Sequence, residues 1–453
     1  MSDVKSKIDE LITRARTAAG EFKKFNQEQV DRIIAAMDKA GTANERKLAE
    51  MAVEETGMGK VEDKVIKNHI GCHLVYEYLK DKPSVGIISE KDGIMEIAEP
   101  YGIVVAVTPT TNPTSTTAFK SLIALKGRNV IVFAFHPRAQ QCSAATATIM
   151  RDAAVAAGAP ENCIQWIEEP SIEATNLLIT HPRANLIIAT GGGAMVKAAY
   201  RSGHPALGVG PGNVPVYLEK TANLSMAVNN IIASKTFDYG TLCSADQSVI
   251  FDDRQVAEKA LKLFNERGAY ICSEEEKAKL AKIMFDPEKG VPSQKIVGQS
   301  PQVIAKLAGF DVPDDTKMLM VPLNVAKIGP EDMLSHEKLS PVLGYMVARD
   351  KDEAIATCIR QLEFGGAGHT ATCYSHNDEV LREFSLAVPA NRVVLNAPSA
   401  HGSVGQLYND LVPSMTLGCG TAGGNVTTDN INYRHLLNIK RAALRNKPES
   451  QDE

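Results

Sequence analysis

The stretch GIVVAVTP, residues 102–109, is wholly apolar and then breaks at Thr-Pro. An unbroken apolar run of this length is what a strand covered on both faces requires. NVIVFAFHP (129–137) and ANLIIATGGG (184–193) repeat the pattern, and CIQWIEE (163–169) supplies a further strand. Helical segments lie between them: TAFKSLIALKG (117–127), CSAATATIMRDAAVAAG (142–158) and SIEATNLLITHP (171–182). Gly158 with Pro160 just beyond it marks a helix end. The alternation predicts an α/β class, a parallel sheet with helices on both faces.

Upstream, QEQVDRIIAAMDKAGTANERKLAEMAVEE (27–55) returns apolar residues every three or four positions, as an amphipathic helix does. SVGIISEKDGIMEIAEP (84–100) reads as a hairpin turning at Asp92-Gly93. It is expected to extend from the body over about 84–98 and to pair with the tail of a partner subunit. Downstream, the alternation restarts near FDYGTLC, and MLMVPLNVAKI (318–328), PVLGYMVARD (341–350), ATCYSH (371–376) and NRVVLNAP (391–398) supply strands. The expected organisation is one domain over 1–234, a second over 235–425, and a C-terminal segment, 426–453, whose charged RNKPESQDE end frays.

A chain of 453 residues is too long for one hydrophobic core. With 44% hydrophobic and 23% charged residues it has an ordinary globular balance. Its formal charge of -5 does not suit a nucleic-acid partner or an anionic membrane surface. The polar N-terminus lacks the apolar centre of a secretory signal, and the apolar runs are too short to span a bilayer, so a cytoplasmic location is expected. Eight cysteines, at 72, 142, 163, 243, 272, 358, 373 and 419, form no CxxC and no zinc-like cluster with histidine.

Four segments are able to carry chemistry. Cys243 follows a Gly-containing loop, FDYGTLC, where a thiol can be exposed; spacing alone also fits an inert buried cysteine. TPTTNPTSTT (108–117) ends a parallel strand, where ligands of open α/β sheets gather, though it also suits a self-capped loop. ATGGGAMV (189–196) permits close approach of backbone to a ligand or only a tight turn, and G-x-G-x-x-G is absent from it. HEKLSPVLGY (336–345) contains Glu337, an acceptor for ribose hydroxyls or a solvated loop carboxylate.

Taken in order, ETGMGKVEDKVIKNH, EPYGIVVAVTPTTNPTSTTAFK, HPRA, ATGGGAMVKAAYRSGHPALGVGPGN, SKTFDYGTLCSADQSV, HEKLSPVLG, GHTATCYS and PSMTLGCGTAGGN resemble the aldehyde dehydrogenase superfamily. The likeness is to its coenzyme A-acylating branch, including the aldehyde dehydrogenase half of bifunctional aldehyde-alcohol dehydrogenases. It implies a Rossmann-like cofactor domain, an α/β catalytic domain and an oligomerisation hairpin. It implies Cys243 as nucleophile and Asn112 as oxyanion donor, helped by the Cys243 amide. Thr108, Pro109, Thr110 and Thr111 would line the cofactor cleft, and His136 would approach the adenosine ribose. Gly191 and Gly192 would start the helix beneath the pyrophosphate, and Glu337 would hold the nicotinamide ribose. The cofactor implied is NAD, with NADP as the alternative, and coenzyme A is the co-substrate; no metal is required.

Hydrolytic members carry a water-activating glutamate in an ELGG-type motif. GVGPGN stands there in this chain, with Val209 near the glutamate's place, so the implied acyl acceptor is the thiol of coenzyme A. Acetaldehyde is the expected substrate, with propionaldehyde, butyraldehyde or sulfoacetaldehyde as alternatives, since Ala422 replaces a bulky Trp of the bifunctional relatives. The other readings are a catalytically idle scaffold of the same fold and a hydrolytic dehydrogenase. A homodimer or homotetramer is implied, and microcompartment association is compatible with the resemblance. No histidine in the sequence stands out as a partner for Cys243.

Overall fold

The computed structural model describes residues 2–445. The expected frayed end lies almost wholly outside the described residues. Helices Ser2–Phe22, Gln27–Ala43, Glu45–Thr56 and Val61–His69 form the N-terminal layer. Asn26 starts the second of them with a capping box to Gln29, and Gly57, at φ 65°, stops the third.

Strands β1 (Gly86–Lys91) and β2 (Ile94–Pro100) form the antiparallel hairpin. Asp92 and Gly93 both take positive φ, 52° and 73°, which is the turn that an Asp-Gly step favours. Next come β3 (Ile103–Val107), β4 (Val130–Ala134), β5 (Ile164–Trp166), β6 (Leu186–Thr190) and β7 (Ala206–Val209). They build a five-stranded parallel sheet in the order β5-β4-β3-β6-β7. All residues of β3 and β4 are buried, which explains their unbroken apolar sequence. Helix Pro113–Lys126, with Pro113 in its first turn, is also buried along its whole length.

The second sheet has seven parallel strands: β8 (Val214–Leu218), β9 (Asp246–Phe251), β10 (Ala269–Ile271), β11 (Met318–Pro322), β12 (Val342–Val347), β13 (Gly368–Tyr374) and β14 (Ala390–Leu395). Their order is β10-β11-β12-β9-β8-β13-β14. The chain therefore passes from one sheet to the other between Val209 and Val214, not near 234. The apolar VPVYL run continues the earlier alternation in sequence but pairs with β9 and β13 in space.

The last strand, β15 (Leu437–Ala443), pairs antiparallel with β2, from Leu437 against Pro100 to Ala443 against Ile94. The expected pairing of the hairpin with a partner's tail is thus corrected: both edges of β2 are filled within one chain, by β1 and β15. Among the described residues, no helix is long and apolar enough to cross a membrane.

Candidate active site

Five-stranded order places β3 and β6 side by side while their connections leave in opposite directions, which opens a crevice beyond their C-terminal ends. The loops there are Thr108–Asn112 and Gly191–Gly192. The second sheet faces this crevice with the N-terminal ends of its strands. Cys243 precedes β9, Glu337 precedes β12 and His369 is the second residue of β13. Between the two sheets lies a cleft of about 570 Å³. Thr108, Pro109, Thr110, Thr111, Asn112, His136, Gly191, Gly192, Cys243 and Glu337 all line it, so the sequence-derived residues are brought together. Ala422 is exposed in a short turn and is not among the lining residues.

Cys243 alone among the eight cysteines is not buried. Its thiol is pushed up to about 12, chiefly by burial of the sulfur and next by the Glu337 carboxylate. Cys243 lines the cleft, its residue partly exposed and its sulfur desolvated. His369, which sequence reading had missed, places Nε2 3.2 Å from Sγ. Its Nδ1 lies 2.9 Å from Thr370 Oγ1. Burial, then the nearby Arg392, lower His369 to about 3, so its imidazole is neutral near pH 7. In the tautomer whose Nδ1–H donates to Thr370 Oγ1, Nε2 keeps the lone pair that the thiol proton needs.

Gly212 makes this contact possible. A Cβ there would lie 2.1 Å from the Cys243 carbonyl oxygen and 3.2 Å from the His369 ring. The Gly212 N–H donates to Glu337 Oε1 at 3.1 Å. Glu337 is raised to about 8, first by burial, against the lowering effect of that bond. It is the one carboxylate among the described lining residues, and Val209 lines the cleft as well.

Asn112 heads helix Pro113–Lys126 but does not cap it. Its Oδ1 accepts from Lys67 Nζ at 2.6 Å, and its Nδ2 donates to Thr111 Oγ1 at 3.1 Å. The loop before Cys243 is strained: Asp238 and Tyr239 have φ of 49° and 51°, unusual for side chains with a Cβ.

The cleft suits a dinucleotide. Cβ atoms added at Gly191, Gly192, Gly193 or Gly210 would meet nothing within 4 Å, and helix Gly193–Tyr200 starts there. The buried Thr108 Oγ1 has no hydrogen-bond partner among the described residues. Ile172, 81% exposed, offers an apolar surface at the rim.

Residues 2–407 match the family described as "Aldehyde dehydrogenase family". Aldehyde-alcohol dehydrogenase 2 of Entamoeba histolytica is 46% identical over 449 residues, 97% of this chain and 51% of the relative. The chain thus spans about half the length of that relative and of the other aldehyde-alcohol dehydrogenases it matches. Succinate-semialdehyde dehydrogenase (acetylating) of Clostridium kluyveri is 40% identical, covering 97% of this chain and 96% of that one. The crystal structure of an acetylating aldehyde dehydrogenase from Geobacillus thermoglucosidasius superposes with a TM-score of 0.95 at 44% identity, over 99% of this chain and 98% of that one. A Rhodopseudomonas palustris propionaldehyde dehydrogenase, solved with bound CoA and an acylated cysteine, gives 0.84 at 27% identity, over 96% and 97%. The chain belongs to the aldehyde dehydrogenase family, has its α/β fold with a Rossmann-like and a catalytic domain, and is similar over nearly all of its length to acylating members.

Proposed function

We propose that this protein converts a short-chain aldehyde, acetaldehyde first among them, and coenzyme A into acyl-CoA with reduction of NAD, reversibly and through a thioester on Cys243. The carrying observation is the 3.2 Å contact between the one non-buried cysteine and a neutral imidazole, His369. His369 Nε2 takes the thiol proton as Sγ bonds to the carbonyl carbon. The Asn112 amide and the Cys243 N–H stabilise the oxygen as it becomes an alkoxide. Bound NAD or NADP supplies a hydride acceptor. As the alkoxide reforms a carbonyl, its carbon gives up hydride and a thioester is left on Cys243.

Coenzyme A thiol then gives its proton to His369, which has shed the first to solvent. Its sulfur attacks the thioester, and Cys243 leaves as thiolate to be reprotonated. The one carboxylate among the described lining residues, Glu337, accepts the Gly212 N–H, which supports thiolysis over hydrolysis. Thr108, Pro109, Thr110, Thr111, Gly191 and Gly192 would hold the dinucleotide phosphates and nicotinamide side, His136 the adenosine ribose and Glu337 the nicotinamide ribose. Exposed Ile87 and Ile94 on the hairpin support burial against a second copy, as homodimer or homotetramer.

The test is product analysis with acetaldehyde, propionaldehyde, butyraldehyde and sulfoacetaldehyde, each with coenzyme A and NAD or NADP. Acetyl-CoA formed with the highest kcat/KM supports the reading. Free carboxylate as the main product, or no turnover with any of the four, would overturn it.

A further inference from the structure

Asn112 and Cys243 come from loops that belong to different sheets, and one buried ammonium donates both to the Asn112 side chain and to the loop before Cys243. Lys67 lies on helix Val61–His69 and is almost wholly buried. Its Nζ donates to Asn112 Oδ1 at 2.6 Å, to Asp238 Oδ2 at 2.5 Å and to Thr241 Oγ1 at 2.8 Å. An ammonium has three donors and no acceptor, so all three are used. Thr241 is two residues from Cys243.

We infer that Lys67 is a positioning residue: by donating to the side-chain carbonyl of Asn112 it fixes which way that amide faces and presents its nitrogen to the oxyanion. The chemistry of the contact decides the orientation. A side-chain amide can present either its oxygen or its NH2, and the two are otherwise nearly equivalent in shape. Only the oxygen can accept from Lys67, so Nδ2 must occupy the other side. One of its hydrogens goes to Thr111 Oγ1. The second has no protein partner among the described residues and is free for the substrate oxygen. Polarisation of the amide by a cation at its oxygen strengthens that second N–H as a donor.

The same ammonium fixes the spacing of the two loops. Asp238 is buried and receives Lys67, Lys64 at 2.9 Å and the Lys60 backbone N–H at 2.7 Å. Its own N–H donates to Asp63 Oδ2 at 2.7 Å. These contacts hold the left-handed Asp238-Tyr239 step that delivers Thr241 and Cys243. Lys64 also donates to the Thr111 carbonyl at 3.1 Å but does not touch the Asn112 amide. Lys67 is therefore the link between the side chain that would stabilise the oxyanion and the loop that carries the sulfur.

This inference rests on the proposed oxyanion role of Asn112, and a double-mutant cycle separates the two. Wild type, Asn112→Ala, Lys67→Met and the double variant are compared in kcat, in KM for coenzyme A and in melting temperature. Asn112→Ala is expected to lower kcat about 10²–10³-fold. Lys67→Met is expected to lower it at least about tenfold, with KM for coenzyme A within about threefold. Because both act through one amide, the double variant should be no more than about threefold slower than Asn112→Ala. Losses that multiply would overturn the role of Lys67 while leaving that of Asn112. An Asn112→Ala protein with full kcat would remove the oxyanion reading and the inference with it. Should Lys67→Met alone fail to fold, Lys67→Gln, which leaves Asp238 paired with Lys64, is run through the same cycle against Asn112→Ala.

Discussion

His369 Nε2 stands 3.2 Å from Cys243 Sγ although 126 residues separate them in the chain. The contact joins the loop before β9 to the start of β13, with β8 between those strands. Both groups are shifted toward their neutral forms, the thiol up to about 12 and the imidazole down to about 3. The resting pair is therefore thiol and imidazole, and in the proposed reaction the proton moves as the sulfur bonds to the carbonyl carbon.

Replacing His369 by Asn keeps a polar side chain of smaller size but removes the base. Its kcat should fall about 10²–10⁴-fold, the usual worth of a positioned proton acceptor. Steady-state cofactor reduction measures this, with circular dichroism as a check on folding. A variant within about threefold of wild type would show that the imidazole takes no proton in the rate-limiting steps.

The same substitution should change acid stability in a definite direction. In the unfolded chain His369 titrates near the ordinary histidine value of 6.5, and in the folded protein near 3. Between those values the unfolded state binds more protons. The neutral folded histidine thus favours folding fully above 6.5, and that contribution falls as the pH drops toward 3. At pH 5 the wild type should have lost about 2 kcal/mol relative to His369→Asn, compared with pH 7. Buried Glu337 and Asp246 are both raised and act in the opposite sense, so the difference between the two proteins is the quantity to measure, by urea unfolding. Parallel stability curves for the two would contradict the assignment.

Glu337→Ala should impair cofactor placement more than folding. The apparent KM for NAD should rise, or kcat fall, by about tenfold or more, while KM for the aldehyde changes little. Kinetics with NAD as the varied substrate decide this, and unchanged constants would remove Glu337 from the cofactor site.

Gly212→Ala should be severe for a steric reason. Its Cβ would fall 2.1 Å from the backbone oxygen of Cys243, which cannot rotate away as a side-chain tip could. Overpacking of this kind costs about 1–3 kcal/mol and would displace the sulfur from His369. A lower melting temperature together with a loss of kcat of about 10²-fold is expected, since ångström-scale misplacement carries that penalty. Wild-type activity in this variant would contradict the described packing.

How much of this was legible in the sequence depends on whether the signal was local. The five-stranded sheet was readable because β3 and β4 are buried on both faces, and that leaves unbroken apolar runs. The Asp92-Gly93 turn was readable because the step itself prescribes positive φ. The handover between sheets was misplaced because β8 follows β7 in sequence with only a short Gly-Pro loop, and nothing local says that β8 has changed partners. The strand that fills the second edge of β2 lies more than three hundred residues away, and its pairing has no local mark either. All ten residues assigned by resemblance line one cleft, but His369 was not among them. Its stretch, GHTATCYS, was visible; its proximity to Cys243 is a product of strand order alone.

In the proposed reaction the acyl group on Cys243 waits for coenzyme A because Glu337, the one carboxylate among the described lining residues, is bonded to Gly212. A stopped-flow trace of cofactor reduction, with mass spectrometry of the quenched protein, tests it most directly. Without coenzyme A, a burst of at most about one equivalent of reduced cofactor per active site, an acyl adduct on Cys243 and then a slow leak are expected. Adding coenzyme A should release rapid turnover. Rapid multiple turnover to free carboxylic acid without coenzyme A, or an adduct on any other cysteine, would contradict it.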